Sequence, residues 1–470
     1  MILTSDTDSP ISPHRREAQG VSDGAAAGNV AAGISEHSYW HEPERELSID
    51  ERAGLLGRYQ AVRSQTLVLA DPLSAEDMQL QSMPDASPSK WHLAHTSWFF
   101  ETFILQSSLS DYQPFHPAYH TLFNSYYNSL GKPFSRPHRG LLSRPSIEEI
   151  FSYRSRVDRA IEQWLCEEEV STEQAKLLIL GLNHEQQHQE LLLTDIKHAF
   201  SINPLLPAYQ EDAEGDRASE DIPPQAWLTV PEDNYTVGSD GEIFCFDNEG
   251  PAHQRFQSAF RLSSRLVTNG EYLEFLQEGG YQEPRLWLSD GWSRVQQENA
   301  RAPIYWTQRD GEWFQFTLAG LQPLDLSAPV CHVNYYEADA FASWAGQRLP
   351  TEFEWEIAAW LHCHKDSAGN ANMLESQQFQ PVAEWEAGAG EAQLLGNLWQ
   401  WTSSAYLPYP GFRASKDAVG EYNGKFMCNQ MVLRGGSCVT PRDHIRISYR
   451  NFFYPHQAWQ FTGVRLAGDL

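Results

Sequence analysis

Apolar residues recur at helical spacing from about residue 47 to 202 and fall into short, strand-like runs afterwards. The stretch SIDERAGLLGRYQAVRSQTLVLA predicts a first helix, with Ser48 placed to cap it and Glu51 to reach back. Ser87 and Pro88 announce a second, through SKWHLAHTSWFFETFIL, as a cap followed by the residue best suited to a first helical position. A third covers IEEIFSYRSRVDRAIEQWLCEE, and a fourth starts at Ser171, with Gln174 three residues on, and runs to about Phe200. Four long amphipathic helices imply an antiparallel bundle. Between the second and third lies HPAYHTLFNSYYNSLGKPFSRPHRGLLSRP, which has little periodicity, and loops of that length in compact domains usually carry function.

Residues 1–46 are rich in Ser, Gly, Ala and Asp without apolar periodicity and read as a disordered tail. The acidic, apolar-poor run QEDAEGDRASEDIPPQ marks a linker, placed at 206–225. Beyond it Gly, Pro, Asn and Asp break the strand-like runs, with one clear helix at TEFEWEIAAWL. The expected architecture is multi-domain: an all-α four-helix bundle over 47–205, then an irregular α+β domain over 226–470, without an internal repeat.

A chain of 470 residues is long enough for two cores, and 41% hydrophobic against 20% charged residues is a globular composition. With 16 Trp, 19 Tyr and 23 Phe, ring-lined pockets are expected. A formal net charge of −28 disfavours nucleic acid and anionic membranes as partners, so a small anionic ligand needs a local arginine cluster. No apolar run approaches a membrane span and no basic-then-apolar leader opens the sequence, so a soluble cytoplasmic protein is expected. Six scattered cysteines form no C-x-x-C pair, which argues against a zinc knuckle or a disulfide framework and for small buried apolar residues.

The sharpest chemical signal is His184-Glu-Gln-Gln-His188, because a spacing of four sets two imidazoles one turn apart on a single helix face, able to chelate one metal. The bland alternative is a pair of hydrogen-bonded interior histidines. A third ligand is available in Trp91-His-Leu-Ala-His95, where spacing does not choose between His92 and His95. Three neutral histidines leave a divalent ion its full charge and open positions, which suits zinc hydrolysis or iron oxygen chemistry. The H-E-x-x-H pattern also admits a zinc-peptidase reading with Glu185 as base. In the long loop, Tyr126 and Tyr127 could donate a proton, and Arg136, Arg139 and Arg144 form a cationic patch suited to a carboxylate or, equally, to surface ion pairs.

These residues together resemble the sulfoxide synthases of ergothioneine biosynthesis, from about residue 48 to the end. The first half is similar to DinB-type bundles through WHLAH and H-x-x-x-H-x-E. The second is similar to the formylglycine-generating-enzyme (sulfatase-modifying factor) fold through VTNGEYLEF, HVNYYEADAFASWAGQRLPTEFEWEIAA, GNLWQWTSS, VLRGGS and GVRLA. The resemblance implies iron(II) held by His95, His184 and His188, with His92 behind them. It implies Tyr126 and Tyr127 as loop tyrosines, Tyr127 preferred as proton donor, and Arg136 with Arg139 as a clamp for the cysteine carboxylate. It also implies Gln187 against the substrate imidazole, and Asn451 and Phe452 at the trimethylammonium of hercynine, the histidine betaine. Phe453 stands where the branch using γ-glutamylcysteine has Asp, which favours free cysteine as the thiol. Thr440 and Ile445 stand where formylglycine generators bind copper through cysteine, so copper oxidase chemistry is not expected, and Cys438 is offset from both.

The implied reaction consumes O2, joins the cysteine sulfur to C2 of the imidazole and leaves one oxygen on sulfur. The rival readings are γ-glutamylcysteine, a selenium donor or histidine itself as substrate, a zinc-dependent thiol transferase or hydrolase of the DinB type, and a non-catalytic ligand-binding module.

Overall fold

The computed structural model describes residues 39–40, 43–210, 222, 224–363, 371–383, 394–414, 420 and 423–470. Most of the expected tail and of the acidic linker lies outside them. Of the tail's described part, Tyr39 is buried and Glu46 bridges Ser171. At the near end of the expected linker, Tyr209 is buried and donates to the Leu69 carbonyl.

Ser48 accepts from the Glu51 N–H while the Ser48 N–H donates to the Glu51 carboxylate at 2.8 Å, so α1 (Ile49–Ala70) begins where its capping box dictates. Helix α2 (Ser89–Phe100) runs on through a π-helical turn at Glu101–Leu105. Its cap differs from expectation. Pro88 is the N-cap, and Ser87 instead gives its backbone N–H to Asp195 (2.8 Å) and accepts from Arg139 on Oγ (2.9 Å). With Ser87 Oγ taken by Arg139, the helix starts one residue later without a side-chain cap. Helix α3 (Ile147–Glu167) is capped by Ser146, and α4 (Thr172–Ser201) by the Ser171/Gln174 box.

Helices α1 and α2 each pack on both α3 and α4, which closes the bundle. Gly181 sets how closely α4 approaches α2: a Cβ there would lie 2.6 Å from the Phe100 ring and 2.9 Å from the Phe99 ring. Among the described residues no helix is long and apolar enough to cross a membrane.

The second half is built of small sheets. Strands β1 (Trp227–Val230), β4 (Phe260–Ser263) and β12 (Ala467–Asp469) form one antiparallel sheet in the order β1-β4-β12. Strands β2 (Asp233–Val237) and β3 (His253–Gln257) form a ribbon, and β5 (Trp306–Arg309), β6 (Glu312–Thr317) and β7 (Gly320–Pro323) a meander. The fourth sheet runs β10-β9-β8-β11, from Asn451–Phe453, Met431–Arg434, Trp399–Ala405 and Thr462–Gly463, with only the β8–β11 pair parallel.

Among the described residues, four helices accompany these sheets rather than the single one expected: α5 (Asn269–Gln277), α6 (Ser289–Glu298), α7 (Tyr335–Trp344) and α8 (Glu352–His362), the last being the expected one. Three of the four carry a legible capping box, Thr268/Glu271, Asn334/Glu337 and Thr351/Glu354. Their brevity, about three turns, leaves too little apolar periodicity to outweigh the breakers around them.

Beneath the fourth sheet, Arg450 pairs with Glu352 (2.8 Å) and Arg434 with Glu356 (2.8 Å), all four buried. This pairing ties α8 to β9 and fixes the chain just before Asn451.

Candidate functional site

His95 on α2 and His184 and His188 on α4 are buried and form a possible metal-holding cluster among the described residues. Their Nε2 atoms converge: His184 Nε2 lies 3.2 Å from His95 Nε2 and 3.1 Å from His188 Nε2. Hydrogen bonds on the far side of the His95 and His188 rings determine what their Nε2 atoms carry. His95 Nδ1–H donates to the Phe123 carbonyl at 2.5 Å, leaving a lone pair on its Nε2.

His92 Nε2–H donates to Asp195 (3.1 Å), so its Nδ1 accepts from His188 Nδ1–H (2.7 Å), and His188 Nε2 is bare in turn. Two lone pairs therefore point at the third imidazole, which has at most one proton to offer on that nitrogen. Burial keeps His95 and His188 far below the ordinary histidine range and His184 down at about 3, so none carries a charge at neutral pH. A divalent cation satisfies all three at once. The Trp91 and Trp98 rings stack on His95 at 4.5 and 5.5 Å and hold its plane.

Glu185 points away from this point. It is fully buried and accepts from Arg63 (2.8 Å), Arg154 and Thr66 (2.7 Å). Burial alone would raise its pKa, but Arg154 and Arg63 hold it at about 2. A carboxylate so committed is not available as a general base, which removes the zinc-peptidase reading.

A cavity of about 390 Å³ opens beside α4, between the bundle and the second domain. Its wall includes Tyr126, Arg136, Gln187, Asn451 and Phe452 of the expected site, with Asp195 from behind the histidines. One part of the wall is aromatic: Phe452 stacks on Tyr406 at 4.1 Å, and Phe246, Trp399, Phe426 and Tyr449 also line it. Phe453 lines it too.

The two loop tyrosines part company. Tyr126 faces the cavity, with Phe426 set edge-on at 5.3 Å, whereas Tyr127 is wholly buried against Phe103 (5.1 Å) and Trp98 (5.7 Å) and is not on the wall. The arginines differ as well. Arg136 is exposed on the cavity wall and donates to the Asp85 carbonyl. Arg139 is buried, 3.4 Å above the Trp91 ring, with Ser87 as hydrogen-bond acceptor, and its Nε meets no acceptor among the described residues. Arg144 is exposed and donates to the Ser143 carbonyl.

Sequence reasoning missed the polar stripe by which α4 docks on the second domain. Asn183 meets His444, Gln186 meets Asp443 and Gln187 meets Tyr449. Glu190 accepts from Trp399 Nε1 (2.7 Å), Ser437 (2.9 Å) and Thr440 (2.7 Å). Polar residues at i, i+3, i+4 and i+7 along α4 were the available signal. Thr440 thus serves docking, and Ile445 packs against Gly436, so neither position offers a copper ligand. Of the six cysteines expected to be mostly buried, only Cys331 and Cys438 are; Cys166 and Cys428 are exposed.

Comparison with known proteins agrees with both halves. Residues 58–192 match the DinB superfamily model, and residues 213–470 match the model of the sulfatase-modifying factor enzyme 1-like domain. The chain is 32% identical to hercynine oxygenase of Mycolicibacterium thermoresistibile over 452 residues, covering 90% of this chain and 96% of that one. It is also 32% identical to hercynine oxygenase of Mycobacterium tuberculosis over 433 residues, 87% of this chain and 97% of the relative. Ergothioneine biosynthesis protein 1 of Schizosaccharomyces pombe is 26% identical over 380 residues, 69% of this chain and 44% of that longer protein. With a DinB-type bundle and a sulfatase-modifying-factor-type domain in one polypeptide, this chain belongs to the hercynine oxygenase family.

Proposed function

We propose that the protein is an iron(II)- and O2-dependent sulfoxide synthase that joins the sulfur of free cysteine to C2 of the hercynine imidazole, as in ergothioneine biosynthesis. The observation that carries this reading is the convergence of the Nε2 atoms of His95, His184 and His188, beside a cavity with cationic and aromatic walls. These three histidines would hold the ion, and because all are neutral they leave it its full charge and open positions. Iron(II) held there would supply the redox chemistry toward O2 and would lower the pKa of a neighbouring thiol.

The chain's own groups bind and orient. Arg136 takes the cysteine carboxylate, and Arg139, a buried guanidinium without a paired anion at Nε, supplies charge behind it. Phe452, with Tyr406 stacked behind it, and Asn451 receive the trimethylammonium, which offers no hydrogen to donate and is attracted to ring faces. Gln187 meets the substrate imidazole. Tyr126, the phenol on the cavity wall, is the proton donor, and Tyr127 packs against it at 4.9 Å. Holding two substrates in one geometry supplies much of the rate. An apolar ring at Phe453 on the wall favours cysteine over γ-glutamylcysteine.

The test is O2 uptake by anaerobically iron-loaded protein given hercynine with cysteine or with γ-glutamylcysteine, followed by mass analysis. Hercynylcysteine sulfoxide formed preferentially from cysteine, and lost in His188→Ala, is expected. No uptake with either thiol would overturn the reading.

A further inference from the structure

Gln187 is an amide, and an amide can present either its oxygen or its nitrogen to a ligand. Which one it presents is decided further back on the same helix, through the second domain. Asn183 Nδ2 donates to the Ile179 carbonyl at 3.0 Å, an acceptor with no alternative role, so Asn183 Oδ1 is what faces His444 Nδ1 at 3.0 Å. His444 Nδ1 must therefore carry the proton. His444 is buried, and burial, followed by the nearby Arg446 and Arg58, pushes it well below the ordinary histidine range, so the neutral ring has a lone pair on Nε2. That nitrogen lies 3.1 Å from the Tyr449 hydroxyl, which therefore donates to it. The Tyr449 oxygen in turn accepts from Gln187 Nε2–H at 2.6 Å. Every link has one permitted direction, fixed from a backbone carbonyl onward.

We propose that Asn183, His444 and Tyr449 form a directed relay that locks the Gln187 amide with its oxygen toward the cavity, making them positioning residues that select a ligand with a ring N–H. This deepens the proposed function and rests on it for the identity of the ligand. The relay holds its geometry because Tyr449 is wedged between Trp399 (5.3 Å) and Phe246 (5.7 Å). Its consequence is a specificity rule. A neutral imidazole has one N–H and one bare nitrogen; an acceptor at Gln187 takes the N–H and turns the bare nitrogen away from it. A ring-N-methylated hercynine has no such hydrogen and leaves the Gln187 oxygen facing a methyl group or a lone pair. A site built to receive one hydrogen bond rejects the analogue lacking it because a buried polar group is then left unpaired.

Two measurements test this. In metal-free protein labelled with 15N-histidine, with His444 assigned by comparison with His444→Gln, the ring-nitrogen shifts should report the neutral Nδ1–H tautomer; an Nε2–H tautomer or a charged ring would overturn the relay whatever the ligand is. In iron-loaded anaerobic protein, calorimetry should show hercynine bound and its ring-N-methyl analogue bound far more weakly. Tyr449→Phe should weaken hercynine about tenfold and shrink that discrimination, with the cysteine KM unchanged. Equal weakening of both ligands, or a parallel loss of cysteine affinity, would reduce Tyr449 to a packing residue and overturn the specificity rule. Failure of the wild type to bind hercynine would instead bring down the substrate reading, while the tautomer still decides the relay.

Discussion

Adjacent residues on α4 belong to two buried polar clusters of opposite character. Glu185 sits among Arg63, Arg154 and Thr66, with Asp158 taking the other side of Arg63 at 2.6 Å. In that cluster charges and hydrogen bonds close on themselves. His184, one residue earlier, sits among His95 and His188, where outward-facing hydrogen bonds have been arranged so that inward-facing lone pairs meet. The first cluster holds the bundle together and the second leaves a valence for something from outside. Burial alone does not distinguish them, since His184 and Glu185 are both buried. What separates structure from function here is whether the polar groups satisfy one another.

Substitutions should separate the clusters cleanly. The largest effect is on chemistry: His184→Ala should abolish metal retention and reduce O2 uptake to background, while circular dichroism reports a cooperatively folded protein. Glu185→Ala should do the reverse, leaving buried Arg154 without a carboxylate and Arg63 with Asp158 alone at a cost of about 3–5 kcal/mol, read as a large fall in the denaturant midpoint. A third substitution sharpens the contrast, because Asp195 orients His188 only through His92. Asp195→Asn should weaken metal binding roughly 10–100-fold in a competition titration with a chelator, with a far smaller change in folding stability. The smallest effect is steric: Gly181→Ala, whose methyl group would press on the Phe99 and Phe100 rings, should cost about 1–3 kcal/mol and loosen the α2–α4 spacing on which both clusters depend. If Glu185→Ala lost metal without losing stability, the division into a structural and a functional cluster would fail.

Much of this architecture is legible in the amino-acid sequence. Helix starts at Ser48 and Ser171 follow from side chains that satisfy orphan N–H groups locally, and His184 with His188 follows from the helical repeat. The choice between His92 and His95 does not follow from spacing. It depends on Asp195, which captures His92 Nε2 from another helix, and on the Phe123 carbonyl, which turns His95 inward. Arg139, from the long loop, occupies Ser87 Oγ, and the cap of α2 falls on Pro88 instead. Tyr126 and Tyr127 are indistinguishable as a sequence pair, yet the loop sends one to the cavity and buries the other against Trp98. His444 and Tyr449 carry no local signal because their partners on α4 lie 261 and 262 positions away, and only docking brings them together.

The central claim is that the converging nitrogens hold one ion. Anaerobic titration of metal-free protein with iron(II) tests it directly, in the wild type and in His95→Ala, His184→Ala, His188→Ala and Glu185→Gln. The account predicts one tight site per chain that is lost in each of the three histidine variants and kept in Glu185→Gln. A tight site that survives loss of His95, or that vanishes with Glu185 while the protein stays folded, would contradict it.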